Sequence, residues 1–571
     1  VVSDERALAS WLADLDDLAL ARLLSERAVS ATAGWLDFFD AAAGLLDAAS
    51  LDRVLIRLPR AELAALAGGS VPSDRLRELA LIDPEGRPFD TVTDRLALLL
   101  AEHPDAIAAE PELAPASTAG EQSVAASAER AFTASGALAD VLLACLHTPL
   151  ARTGTGTISA TDRKRLIEAR TVDTPEELED LVESAAGAGL ARAFEREWVV
   201  TADGERWLEA STAERWRAIA EGFRAAMPAG LRTGDGGFRR VESWASAYPL
   251  DPEWPSRAAR LRRIAQLWGF LDRDGSEPPW TSALRAGEPA DSAPLTAHLP
   301  AEIDRVYLQA DLTAIAPGPL APHLDLRLRS IARRESRAQA STYRFTSESL
   351  GAGMTEGETA RSIREFLGTL SLTGIPQPLD YLIESTAARH GLVRVRTEAA
   401  SGRTRVESPE PGLLDTIAVD QALRPLGLVN DGEALVSRVT RDAVYWSLAD
   451  ARYPVVALGA AGTPEPLHRR AASADAATDA DPRETYSRLI DVLRNGHSTV
   501  GEAAWLGREL EQAVRARAEI VVVVKMPDGS ERALTLEAAG LGGGRLRGRD
   551  RAADIERTLP VTSIVSVRRV S

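Results

Sequence analysis

Two stretches without hydrophobic patterning break this chain: residues 111–128, PELAPASTAGEQSVAASA, and residues 461–483, rich in Ala, Pro and Asp. Neither can join a core, so both read as linkers, and the sequence around them must fold as separate units. Length agrees, because 571 residues exceed what one core supports. The remainder is ordinary globular sequence, 45% hydrophobic and 26% charged. No run approaches the roughly 18 apolar residues of a membrane span. The first ten residues, VVSDERALAS, are acidic where a secretory signal is basic. A cytoplasmic protein, free of membrane and able to associate with the nucleoid, is expected.

Residue usage excludes most catalytic chemistry. Cys145 is the only cysteine, which rules out an intrachain disulfide and a thiolate zinc site, and within LADVLLACLH it reads as a small core residue. The histidines, His103, His147, His298, His323, His390, His468 and His497, stand alone, with no i, i+4 pair for a metal. Of 66 basic residues only Lys164 and Lys525 are lysine, a bias typical of a GC-rich bacterial genome. Neither lies in GxxxxGK[ST], where the lysine must neutralise nucleotide phosphates held by backbone amides. GTGTIS, from Gly154, lacks the preceding strand and the GxGxxG spacing of a dinucleotide site and reads as a loop. No GxSxG elbow is present, and paired carboxylates such as Asp16 and Asp17 read as solvated helical faces. The chain is expected not to be an enzyme and to need no cofactor or metal.

Periodicity predicts a multidomain α+β chain, mainly helical. In residues 1–110, SDRLRELALI has Ser73 as an N-cap, DPEGRPFDTV is a turn between extended residues, and TDRLALLLAEH is a helix. Helix, hairpin, helix is the order of a winged helix. This span carries 20 Asp/Glu against 10 Arg, over half of the chain's net charge of −18. The same order recurs in residues 129–228, where TPEELEDLVESAAGAG has Thr174 as N-cap, Pro175 at the first helical position and Glu177 closing a capping box, and LARAFEREWVVT forms the wing. Tandem winged-helix-like modules follow. The second module's groove-entering helix bears Glu176, Glu177, Glu179, Asp180 and Glu183 and no base, so DNA should repel it. A protein-binding or architectural role suits it better. Residues 229–300 read as a helical connector in which Trp244, Trp254, Trp268 and Trp280 fill a core or an interface. Arg257, Arg260, Arg262 and Arg263 there read as a solvated face.

Residues 301–460 change character. VYLQADLTAIAPGPL holds two short extended runs, APHLDLRLRSIARRESRAQA is a helix and TYRFT a strand. TEGETARSIREFLGTLS is a helix with Thr355 as expected N-cap and Glu358 as its partner. GIPQPLDYLIESTAARHG opens on Pro376, buries Leu379, Leu382 and Ile383, and stops at Gly391. Taken in order, LQADLTAIAPGPL, YRFTSESL, IREFLGTLS and TGIPQPLDYLIESTAARHGLVRV resemble the N-terminal domain of the XPB helicases, DNA translocases of repair and transcription initiation. The whole chain resembles the actinobacterial helicase-associated proteins, which carry this domain without a motor. The resemblance implies a non-catalytic adaptor in DNA repair or transcription, with an XPB-type helicase as partner.

Residues 484–571 end in period-two sequence around Asp528-Gly529, which predicts a small curled sheet or barrel. This end resembles a WYL domain, without the Trp-Tyr-Leu signature, and the resemblance implies a small SH3-like β-barrel. Winged helices joined to such a module imply an alternative, a nucleic-acid-responsive transcription regulator. At a net charge of −18 any DNA contact should be weak and local, confined to Arg327, Arg329, Arg333, Arg334 and Arg337, or to Arg545, Arg547, Arg549 and Arg551. Tyr343, Phe345, Pro376, Pro378 and Tyr381 are the candidates for docking a protein partner.

Overall fold

The computed structural model describes residues 3–569, apart from 70, 72, 109–117, 336–339, 400, 460, 461, 463, 464, 466, 468–480, 500, 501, 527–529, 551, 552 and 554. The architecture is mixed α/β and about half helical, with four small sheets among the described residues. Apolar side chains gather into five clusters.

The first cluster lies in short N-terminal helices, and much of the acidity there has a local purpose. Ser3, Asp16, Asp37 and Asp47 each cap a helix, their side chains accepting backbone N–H groups of the first turn. A carboxylate there satisfies an orphan donor and complements the positive end of the helix dipole. One helix of this cluster comes from the far end of the chain: Pro482–Thr499 contributes Tyr486, Leu489, Ile490 and Leu493.

The second cluster runs from Val124 to Leu295, so the long helix Glu121–His147, the hairpin Ala191–Phe194/Glu197–Val200 and the tryptophan-rich segment share one core. Trp244, Trp254, Trp268 and Trp280 are buried, as expected, and Trp216 joins them in this core; of the five, Trp216, Trp254, Trp268 and Trp280 are the most deeply placed. Their indole N–H groups donate to Trp268 O, Trp244 O, Ser184 Oγ and Gly269 O at 3.0, 2.7, 2.8 and 2.7 Å. The acidic helix Pro175–Gly187 and the arginines read as a solvated face turn out to be each other's partners. Asp180, buried, accepts from Arg260 and Arg263 at 3.0 Å, and Glu183 lies 2.7 Å from Arg260. Burial pushes the Glu183 carboxyl above its ordinary range, against the pull of Arg260.

A recurring turn spans both clusters and escaped the sequence reading. In Asp83–Arg87, Thr153–Thr157, Thr233–Gly237 and Asp272–Ser276 the first N–H donates to the carbonyl four residues on, and the glycine three residues on donates back to the first carbonyl. Those glycines, Gly86, Gly156, Gly236 and Gly275, have φ of +84°, +88°, +84° and +92°, a region that costs other residues a clash between Cβ and carbonyl. GTGTIS is one of these turns, and its threonine hydroxyls bond one another. Gly86 has open space where a Cβ would stand, so Gly86→Ala isolates the backbone term. A loss of about 1 kcal/mol in chemical denaturation is expected.

The third cluster, Val306 to Ile383, joins a four-stranded sheet to the helices Pro322–Ile331, Ser347–Thr355, Ala360–Leu370 and Gln377–Arg389. Thr355 ends a helix where an N-cap was expected. The cap is Thr359, whose reciprocal partner is Ser362, while Glu358 turns instead to Arg327. Pro376 is the N-cap of the last helix and Pro378 its second residue. Leu379 and Ile383 are buried, whereas Leu382 is only half-buried. The fourth cluster holds the hairpin Val393–Thr397/Thr404–Glu407 and a strand, helix, strand unit from Leu435 to Ala457.

The C-terminal strands form a five-stranded antiparallel sheet, in spatial order Ile555–Pro560, Arg545–Asp550, Glu531–Gly542, Glu519–Lys525, Ile564–Arg569. The curled sheet or barrel expected here is present as this sheet, and no pairing closes its two edges among the described residues. The edge strands are consecutive in sequence, joined by the 3₁₀ turn Val561–Ser563, yet lie at opposite ends of the order. The expected Asp528-Gly529 turn lies outside the described residues.

Candidate nucleic-acid interface

The two arginine groups have different surroundings. In the first, the helix Pro322–Ile331 and the strand Arg333–Arg334 carry the guanidinium groups. Arg327 donates to both oxygens of Glu358, at 2.8 and 3.1 Å, and its guanidinium lies 4.4 Å from the Phe366 ring centroid. Arg329 and Arg334 grip Asp140, which the helix Glu121–His147 projects from the second cluster; Arg329 lies at 2.7 Å. Both arginines also approach Asp325, at 3.6 and 3.8 Å, and Asp325 accepts from the Tyr343 hydroxyl at 2.5 Å. Burial and Asp325 together push the Tyr343 hydroxyl far up, which keeps it a donor. Nearby Arg215 donates to Trp207 O at 3.0 Å and to Leu208 O, and burial brings it down to about 10, still protonated at neutral pH. Only Arg333 of this group is exposed without an ion pair among the described residues, and Arg337 lies outside them.

Beside these residues runs a cleft of about 1150 Å³ lined by Arg170, Arg215, Arg329, Arg333, Arg334 and Arg344. Glu168, Asp173, Glu177, Asp325 and Glu335 line it too, so its charge is nearly balanced and a polyanion gains little there.

The second group is arranged differently. Arg545, Arg547 and Arg549 are exposed and alternate along one strand with buried Leu546 and Gly548, so they share a face at a spacing of about 6.7 Å. Arg545 stands opposite Gly542 and Pro560, and Arg547 opposite Gly540 and Thr558; carboxylates, Glu537 and Glu556, stand only opposite Arg549. Arg545 and Arg547 have no ion pair among the described residues. Gly543 and Gly544, with φ of +59° and +72°, make the tight turn that brings the strand back. The result is a cationic row over a glycine floor, accessible to phosphates and with no donor and acceptor pattern for reading bases. Arg551 lies outside the described residues.

The docking candidates divide by burial. Tyr343 and Phe345, each 1% exposed, belong to the third cluster and are out of a partner's reach; Tyr343 lies on the strand Ser341–Arg344 and Phe345 follows its last residue, and both are buried in the same core. Pro378 and Tyr381 are exposed, Tyr381 at 74%, and Pro376 is half-buried. Lys164 is exposed, 3.7 Å from Glu168, in the second turn of the helix Ala160–Glu168 and five residues past its cap Ser159, and Lys525 ends a strand; neither directly follows a glycine. Among the described residues no group of His, Cys, Asp or Glu is placed to hold a metal, and no helix is long and apolar enough to cross a membrane.

Residues 306–431 match the family described as the helicase conserved C-terminal domain. The match begins where the third cluster begins and covers that cluster with part of the fourth. It suggests a helicase-associated protein. No curated protein matches the chain.

Proposed function

We propose that the chain is a non-catalytic, helicase-associated adaptor that works beside an XPB-type DNA helicase in DNA repair or transcription. The observation that carries this reading is the helicase C-terminal match at residues 306–431 in a chain whose two lysines lie outside any phosphate-binding loop. On this reading residues 301–460 are the XPB-like domain, residues 1–110 and 129–228 are winged-helix-like modules, and residues 484–571 form a WYL-like, SH3-like end. The 3₁₀ turn before the last strand, and that strand's return beside the first of its sheet, support the last assignment. Nucleic acid is met through Arg545 and Arg547, by charge and without sequence preference.

The test is charge reversal. Arg545→Glu with Arg547→Glu should weaken single-strand and duplex binding uniformly across sequences and reduce the slope of log affinity against log salt by about 2. An unchanged affinity and slope would move the contact elsewhere. Co-purification from the native host should return a helicase of the XPB type.

A second reading, a nucleic-acid-responsive transcription regulator, draws on one observation. Arg260 and Arg263 neutralise Asp180 on the acidic helix of residues 175–187, which lowers its repulsion for DNA. Genome-wide occupancy separates the two: the regulator requires discrete promoter sites, and the adaptor does not.

A further inference from the structure

The helix Pro482–Thr499 sits in the N-terminal core as a guest from the other end of the chain. Its buried residues Tyr486, Leu489, Ile490 and Leu493 fall at i, i+3, i+4 and i+7, the spacing of an amphipathic helix laid in a groove. The groove lies along the helices Asp17–Glu26 and Phe38–Leu45. Polar contacts fix the register. The Tyr486 hydroxyl donates to Val29 O at 2.7 Å, and Arg494 donates to the carbonyls of Ala13 and Leu15, reaches Asp17 at 3.1 Å and lies 5.3 Å from the Phe38 ring centroid. At Gly496 a Cβ would overlap the Leu36 carbonyl oxygen, so the helix passes as close to the groove wall as glycine permits. The next helix adds Arg508, at 2.9 Å from buried Asp37.

We propose that this groove is an exchangeable helix dock, and that its second occupant is the helix Pro482–Thr499 of another copy of the chain, so that two molecules pair by trading it. The complementarity argues for this occupant. A competitor must offer Tyr486, Leu489, Ile490 and Leu493 on one stripe, Arg494 aimed at the Ala13 and Leu15 carbonyls, and a glycine against Leu36; the same helix of a second copy offers all of them. Reciprocal exchange makes every contact twice and closes with two-fold symmetry, without a new interface. What opposes it is the chain's own helix, which competes for the groove as an intramolecular occupant. Pairing therefore rises with protein concentration. A pair formed this way carries two arginine rows.

The test uses the full-length chain. One preparation bears a donor dye at Ser25→Cys and the other an acceptor at Arg488→Cys, both exposed positions, while Cys145 is buried. Energy transfer between molecules, and a dimer in sedimentation, should grow with concentration and reverse on dilution. Gly496→Ala should abolish the transfer. Because its own dock is then vacant, a synthetic peptide of residues 482–499 should bind that variant about tenfold more tightly than wild type. Leu493→Ala, which trims an anchor without the backbone clash, should lower the transfer in part and serves if Gly496→Ala does not fold. Absence of transfer at every concentration, transfer indifferent to both substitutions, or equal peptide binding to wild type and Gly496→Ala would overturn the proposal.

Discussion

Ile383→Asp is expected to unfold the unit built on the third cluster. The side chain is fully buried on the helix Gln377–Arg389, among Leu379 and the facing apolar residues of that core. A carboxylate there loses its hydration among apolar neighbours, a cost of several kcal/mol that approaches the whole stability of a domain. Leu382→Asp, one residue earlier and half-buried, should cost clearly less. Thermal unfolding of the two variants side by side checks this, and equal melting temperatures would mean that the helix faces are wrongly assigned.

Asp140→Ala should have the second largest effect, at the join between the second and third clusters. The carboxylate holds Arg329 and Arg334 together, and its side chain is only 8% exposed. Removing it leaves two poorly hydrated guanidinium groups facing each other, which costs about 3–5 kcal/mol for a buried pair broken on one side. Asp325 remains near both arginines and offsets part of the loss. The expected result is a lower denaturation midpoint with earlier proteolytic cleavage in residues 301–345. Adding Arg334→Met to Asp140→Ala should recover part of the stability, since the charge and its partner then leave together.

Local chemistry was legible in the sequence, and partnership across distance was not. Thr174 capping at Glu177 N follows from spacing alone, as do the hairpin at Val393–Glu407 and the helix that Thr440 begins. Thr355 failed because two threonines four apart both suit an N-cap, and the helix Ser347–Thr355 already claims the first. Arg327, Arg329 and Arg334 look like free charge when only neighbours in sequence are considered; their partners are Glu358, 31 residues away, and Asp140, up to 194 residues away. The arginines of the last sheet kept their exposure because alternation with Leu546 and Gly548 is itself a local pattern. Tyr343 and Phe345 carried a signal that was passed over, since two aromatics two apart along and just past a strand are a core pattern, and both lie buried beneath the helices that cover this sheet. The recurring turn was legible too, as Asp or Thr followed three residues later by glycine, repeated at 83, 153, 233 and 272.

The helix from residue 482 that completes the first core also sets an order of events on the ribosome. At about 5–20 residues per second, the N-terminal helices leave the exit tunnel roughly twenty seconds to a minute and a half before their last partner is made. Until then the groove along Asp17–Glu26 and Phe38–Leu45 stands open, with Leu20, Leu24 and Phe38 short of their final cover. The cores between it and that helix assemble from residues already synthesised, so this module, made before them, is finished after them. A nascent chain of this protein thus carries an uncovered apolar groove while the residues between Leu45 and Pro482 are made, and holding factors have that interval in which to act.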